Sequence, residues 1–222
     1  VFVWLLANPT RDPMFKVPTG HFYVVSAVSV ISAVLALIAG VGGLKTSNGR
    51  ILLLALAFIS MSGFFAVHGL ATPGFVVEVE YRAVLGFSAR MSLLLAAAFL
   101  ALSAVDLPHP ALALLVRHRV RVLCAWVAVL VGYAVGALLY PESIPPRLMD
   151  ENLFLRGTLA IVLGLTLFSA VRYFRGYRRS GLTMYGAVAL GSILLFHSQI
   201  SMHFGTVWAA SWWMYHFELL SA

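Results

Sequence analysis

Residues 51–70 read ILLLALAFISMSGFFAVHGL, twenty positions without one Asp, Glu, Lys or Arg. About 20 such residues, wound as a helix rising 1.5 Å each, cover the roughly 30 Å of a bilayer's hydrocarbon. In lipid a lone segment has no water to satisfy its backbone, so the helix is the form it must take. The same signature recurs on both sides of this stretch. Spans are predicted at 22–44, 51–70, 83–104, 120–139, 157–173, 182–202 and 205–222. Turn chemistry separates them: Ser47-Asn48-Gly49, Thr72-Pro73-Gly74, Pro108-His109-Pro110 and Pro145-Pro146. The whole chain obeys the same rule. Of its 222 residues 61% are apolar and 10% charged, with a mean hydropathy of +0.94, whereas a soluble domain carries about 25% charged residues. The expected fold is therefore all-α, one seven-helix transmembrane bundle over 1–222, with 1–20 as an extracytoplasmic or interfacial lead-in.

Composition excludes several classes. A chain this apolar is not disordered, and the single cysteine, Cys124, leaves no disulfide framework. The net charge of +7 does not point to nucleic acid, because the cations flank apolar runs and so mark topology. Lys45, Arg50, Arg117, Arg119, Arg121, Arg172, Arg175, Arg178 and Arg179 follow the first, third and fifth spans. Arg11, Lys16, Arg82, Arg147 and Arg156 lie on the other side with Asp12, Glu78, Glu80, Glu142, Asp150 and Glu151. The cation-rich side is expected to be cytoplasmic, which places the N-terminus outside and the C-terminus inside a bacterial plasma membrane. Residues 1–7 are too short to span and read as an interfacial segment or the remnant of a leader. A cytoplasmic output domain is expected beyond 222. Gly132 and Gly136, spaced as GxxxG, suit close helix contact, and a homo-oligomer through helix contacts is one expected partner besides the bilayer itself.

Ionisable groups at membrane depth are costly unless paired, so each is a candidate for function. With this topology His21, His68, His197 and His203 belong to the outer leaflet or its edge. His216, 11 residues into the last span, lies roughly 16 Å deep. His109 and His118 fall among cytoplasmic prolines and arginines. Imidazole ligates zinc, copper and haem iron. Two facing histidines, His68 with His197 or His216, would hold a haem b. Three or more of His21, His68, His197, His203 and His216 would hold a zinc or copper ion, with Tyr215, Glu218, Met61, Met202 or Met214 in support. The bland alternative is a set of separately hydrogen-bonded histidines. Trp212 and Trp213 lie too deep for an interface belt alone and could wall a flat ligand. Arg90, seven residues into the third span, reads as a snorkelling side chain or one half of a structural pair.

No Walker A, GxSxG, HExxH or CxxC motif occurs, and no catalytic residue is assigned. The only lysines are Lys16 and Lys45, which excludes a retinal Schiff base in the last span. The late histidines, six and thirteen residues apart, miss the HxxxH of membrane amidases such as the alkaline ceramidases.

Ala57-Phe58, Gly63-Phe64 and His68-Gly69-Leu70-Ala71-Thr72-Pro73-Gly74 resemble the second-helix signature of a bacterial seven-helix membrane region found ahead of adenylate or guanylate cyclase domains. His21-Phe22, Gly86-Phe87, Ser103-Ala104 and Ser211-Trp212-Trp213 with His216 are also similar. The resemblance implies a sensory or anchoring input module that signals to a cytoplasmic effector in cis or in trans. Rival expectations are a haem- or copper-binding subunit of a membrane redox complex and a scaffold subunit without a cofactor.

Overall fold

The computed structural model describes residues 1–74, 81–149 and 152–222, apart from the side chains at 147 and 152. Glu78, Glu80, Asp150, Glu151 and the side chain of Arg147, all used above to weigh topology, lie outside the described residues. Nine α-helices are present among the described residues: α1 (Phe2–Ala7), α2 (Pro18–Thr46), α3 (Gly49–Leu70), α4 (Arg82–Ala104), α5 (His109–Arg117), α6 (Arg119–Leu139), α7 (Asn152–Ser180), α8 (Thr183–Phe204) and α9 (Ala210–Ser221). Six of them, α2, α3, α4, α6, α7 and α8, are long and apolar enough to cross a membrane. The seventh expected span is different. Its helix opens at Ala210 instead of Gly205, and the twelve residues of α9 rise only about 18 Å.

Local chemistry explains the boundaries. Pro18 sits in the first turn of α2, where its missing N–H costs nothing. Ser47 closes that helix in the left-handed conformation at φ 51°. Asn48 then caps α3 by accepting from the N–H groups of Arg50 at 3.0 Å and Ile51 at 3.4 Å. The α2–α3 connection is thus a two-residue hairpin. Pro108-His109-Pro110, read above as a turn, instead opens the nine-residue amphipathic helix α5, because proline fits a first helical turn. The fifth span extends well past both predicted ends into the 29-residue α7.

Packing contacts close α2, α3, α4, α7, α8 and α9 into a ring, each against the next, with α6 laid outside on α3. Accordingly α3 is the most buried span and α6 the least. The main core runs through Phe65, Leu93, Ala97, Val162 and Tyr215. Buried hydroxyls are satisfied within their own helices, as in Ser60 to the Leu56 carbonyl and Thr166 to that of Val162. Others bridge helices: Ser88 with Tyr133 and Ser103 with Tyr173, both at 2.6 Å. At one end of the ring Asp106 joins α3 to α7 by binding Arg172 and Arg50, each at 2.6 Å. Arg172 first, and then Arg50, holds its carboxyl below the usual carboxylate range. At 73% side-chain exposure this clamp is screened by water and orders the end of the bundle more than it stabilises it.

Two glycine environments carry opposite expectations. A Cβ on Gly205 would stand 2.6 Å from the Ser201 carbonyl oxygen and 2.8 Å from the Trp212 Cα, so backbone must move. A Cβ on Gly132 or Gly136 would meet nothing within 4 Å, so among the described residues the GxxxG pair makes no close helix contact. Gly205→Ala is expected to cost about 1–3 kcal/mol as an overpacked site, whereas Gly132→Ala is expected to be neutral or slightly stabilising, by up to about 1 kcal/mol. Thermal unfolding in detergent, followed by helical circular dichroism, checks both.

Candidate metal site

Three helices end or begin at the other end of the ring, and each contributes one imidazole. His21 stands in the first turn of α2, His68 in the last turn of α3 and His216 midway along α9. All three are buried, at 3%, 5% and 1% exposure. One ligand nitrogen from each lies within 4.8 Å of the other two. Ring centroids are 5.0 Å apart for His21 and His68 and 4.8 Å for His21 and His216, both edge-on. Among the described residues this is the one group of three or more histidine, cysteine or acidic side chains close enough to share a metal ion, and no carboxylate belongs to it.

The second layer sets which nitrogens face inward. His68 Nδ1 lies 2.9 Å from the Leu85 carbonyl, which can only accept, so Nδ1 carries the proton and Nε2 presents a lone pair. His21 Nδ1 lies 3.1 Å from the Thr72 hydroxyl. His21 Nε2 faces His68 Nε2 at 3.1 Å. Two protonation patterns satisfy these contacts. In one, Thr72 donates to His21 Nδ1 and His21 donates to His68, a closed chain of hydrogen bonds. In the other, Thr72 donates to the His68 carbonyl at 3.4 Å and accepts from His21 Nδ1, leaving two lone pairs face to face, an arrangement that calls for a cation. His216 decides between them. Both of its ring nitrogens are buried and, among the described residues, neither makes a well-formed hydrogen bond; the Trp212 backbone one turn back offers at most a strained one, and an unsatisfied nitrogen there costs about 1–3 kcal/mol. A metal ion joining the three imidazoles takes the lone pair of one of these nitrogens and leaves the other to carry the ring proton. The 3.1 Å separation is also close to the roughly 3.3 Å edge of a tetrahedron with about 2.0 Å metal–nitrogen bonds. It is shorter than the about 4 Å between two ligands on opposite sides of one metal, and His21 stands where a porphyrin ligated by His68 would lie. A bare ion suits the site better than a haem.

Aromatic rings enclose the imidazoles. Trp212 stacks on His21 at 5.4 Å and 23° and meets His216 edge-on at 4.5 Å. Trp208 and Trp213 approach His21 by their edges. The wall is held by the segment before α2. Phe15 N–H donates to the Trp208 carbonyl at 2.7 Å, Ala210 N–H to that of Pro13 at 2.9 Å, and Trp213 Nε1 to that of Phe15 at 2.9 Å. Asp12 accepts from the Ser211 N–H at 3.1 Å and the Ser211 hydroxyl at 2.6 Å.

The other candidate residues go elsewhere. His197 on α8 pairs through Nδ1 with Glu218 Oε1 of α9 at 2.6 Å, with the edge of Phe2 against its ring. His203 is half-buried in the last turn of α8, against Phe204. Neither belongs to the three-imidazole group. Met61 and Met202 are buried in the main core. Arg90 donates to the Gly86 carbonyl at 3.2 Å and reaches Met149 Sδ at 4.0 Å, so backbone and sulfur hold it, with no acid among the described residues. Thr72, Asp12 and Ser211 were not candidates by sequence. Thr72 and Ser211 lie in the stretches quoted above, and Thr72 also stands four residues after His68, one helical turn on.

Comparison of the chain with models of protein families, with curated proteins and with solved structures gives no match.

Proposed function

We propose that this chain is a membrane-embedded input module of a bacterial plasma membrane, in which His21, His68 and His216 bind a metal ion in the outer half of the bilayer. The occupancy of that site is relayed to a cytoplasmic effector of the nucleotide-cyclase kind. One observation carries the proposal: three helices far apart in sequence deliver three buried imidazoles to one point, and among the described residues the third makes no well-formed hydrogen bond. The cation bias of the loops supports the orientation, and the similarity of residues 57–74 to cyclase-linked membrane regions supports the output.

The relay runs through α9. His216 and Glu218 are two residues apart, about 200° around the helix, so one faces the metal site while the other holds His197 of α8. Binding that turns or shifts α9 therefore changes the α8–α9 contact. It favours one packing only by its differential affinity for the two. Spin labels at Ser180 and Ser221, in a Cys124→Ser background, test this. Adding a stoichiometric metal ion to metal-free protein is expected to change the label–label distance distribution, and His216→Phe is expected to abolish the change. Binding with no change in distance would favour a static redox or structural centre.

A further inference from the structure

We infer that the three-imidazole site selects monovalent copper over zinc and other divalent ions; this rests on the metal-binding reading above and deepens it. The charge of the donor set is the first reason. All three ligands are neutral imidazoles, and their two second-layer partners, the Thr72 hydroxyl and the Leu85 carbonyl, are neutral as well. Zinc is ordinarily held with at least one anionic donor, a thiolate, a carboxylate or a hydroxide formed from bound water. Among the described residues no thiolate or carboxylate belongs to this group. The cost of burying an ion in a medium of low dielectric scales with the square of its charge, so a dication held by neutral ligands costs about four times as much as a monocation of similar size. The guanidinium of Arg90, bonded to the Gly86 carbonyl one residue after the Leu85 carbonyl that holds His68, adds to the penalty on a second positive charge.

Coordination number points the same way. Zinc completes four ligands, its fourth commonly water in an open position. Here the three ligands are all at least 95% buried, and indole rings fill the space around them. Monovalent copper has a filled d shell and is satisfied by three donors. The indole rings of Trp208, Trp212 and Trp213, within 4.5 to 5.8 Å of the imidazole rings by centroid, make the surroundings apolar, which penalises a strongly hydrated dication more than a weakly hydrated monocation.

Competition titrations on the full chain in detergent test the inference. Monovalent copper is delivered anaerobically from a chromophoric chelator, and zinc is measured in parallel against its own chelator. The expected result is one monovalent copper per chain, at least a hundredfold tighter than zinc, with quenching of tryptophan emission. His216→Ala is expected to weaken copper binding by more than tenfold. His216→Met, of similar bulk and with a soft thioether donor, is expected to keep copper within about tenfold of wild type while losing zinc. Retention of copper by this variant also shows that the bundle is intact. Zinc binding tighter than copper, or equal loss of both in His216→Met, overturns the preference for copper and leaves the three-imidazole site standing. Failure of the folded chain to bind either metal overturns both.

Discussion

Replacing Asp12 by alanine is expected to destabilise the bundle by about 2–3 kcal/mol and, in the same variant, to weaken metal binding. The reason lies at the start of α9. A helix opens with N–H groups that no residue of its own can satisfy. The residue preceding α9, Ala209, has no side-chain oxygen to offer. The cap comes instead from 199 residues away, where Asp12 accepts from the Ser211 N–H and hydroxyl. Its charge also complements the positive end of the helix dipole. Ser211 in turn accepts from the Thr206 N–H at 3.1 Å, so one carboxylate organises both the loop after Gly205 and the first turn of α9. Without it the fully buried Ser211 loses its acceptor, and the helix that carries His216 loses its anchor to the segment before α2. Asparagine, which keeps one acceptor oxygen but not the charge, is expected to fall between wild type and alanine. Thermal unfolding with and without metal checks the pair of effects. A variant as stable as wild type, with unchanged affinity, would show that α9 is held by its packing alone.

That long-range cap also marks the limit of what the sequence could show. The six long spans were legible because twenty apolar residues in lipid have one backbone solution, and their number does not depend on what they touch. The start of α9 did depend on it. Residues 205–222 look uniformly apolar to any window, yet Trp208 at φ 69° breaks the helix and a distant aspartate restarts it at Ala210. The histidines divide in the same way. Polar residues in apolar runs stood out, so His21, His68 and His216 were visible as costly groups, but His197 and His203 carried the same signal. What separates them is rotation about the helix axis: His197 faces Glu218, and His203 sits half-buried in the final turn of α8. Hydropathy contains no term for that angle when every face of a membrane helix is apolar. Thr72 was hidden by its neighbours, since Thr72-Pro73-Gly74 reads first as a helix stop.

Thr72→Val removes a hydroxyl of almost the same shape and is expected to lower metal affinity by about 10- to 100-fold, the usual cost of losing a partner behind a ligating histidine. A ligand set of three neutral imidazoles requires His21 to keep its proton on Nδ1, so that Nε2 can face the ion. Thr72 holds that proton by accepting it at 3.1 Å while its own hydrogen turns to the His68 carbonyl. Valine leaves the Nδ1–H without an acceptor, and the proton gains by moving to Nε2, where it blocks the metal and donates to His68 instead. The competing closed hydrogen-bonded chain predicts the opposite outcome. There Thr72 is a donor to His21, no metal is involved, and its removal costs stability while metal affinity does not enter. Thr72→Ser retains the hydroxyl and is expected to bind metal as wild type does. Metal titration of the two variants beside their unfolding curves separates the cases: a loss of affinity confined to valine identifies Thr72 as the positioning residue for His21, whereas equal binding in both would assign the threonine to the end of α3 alone.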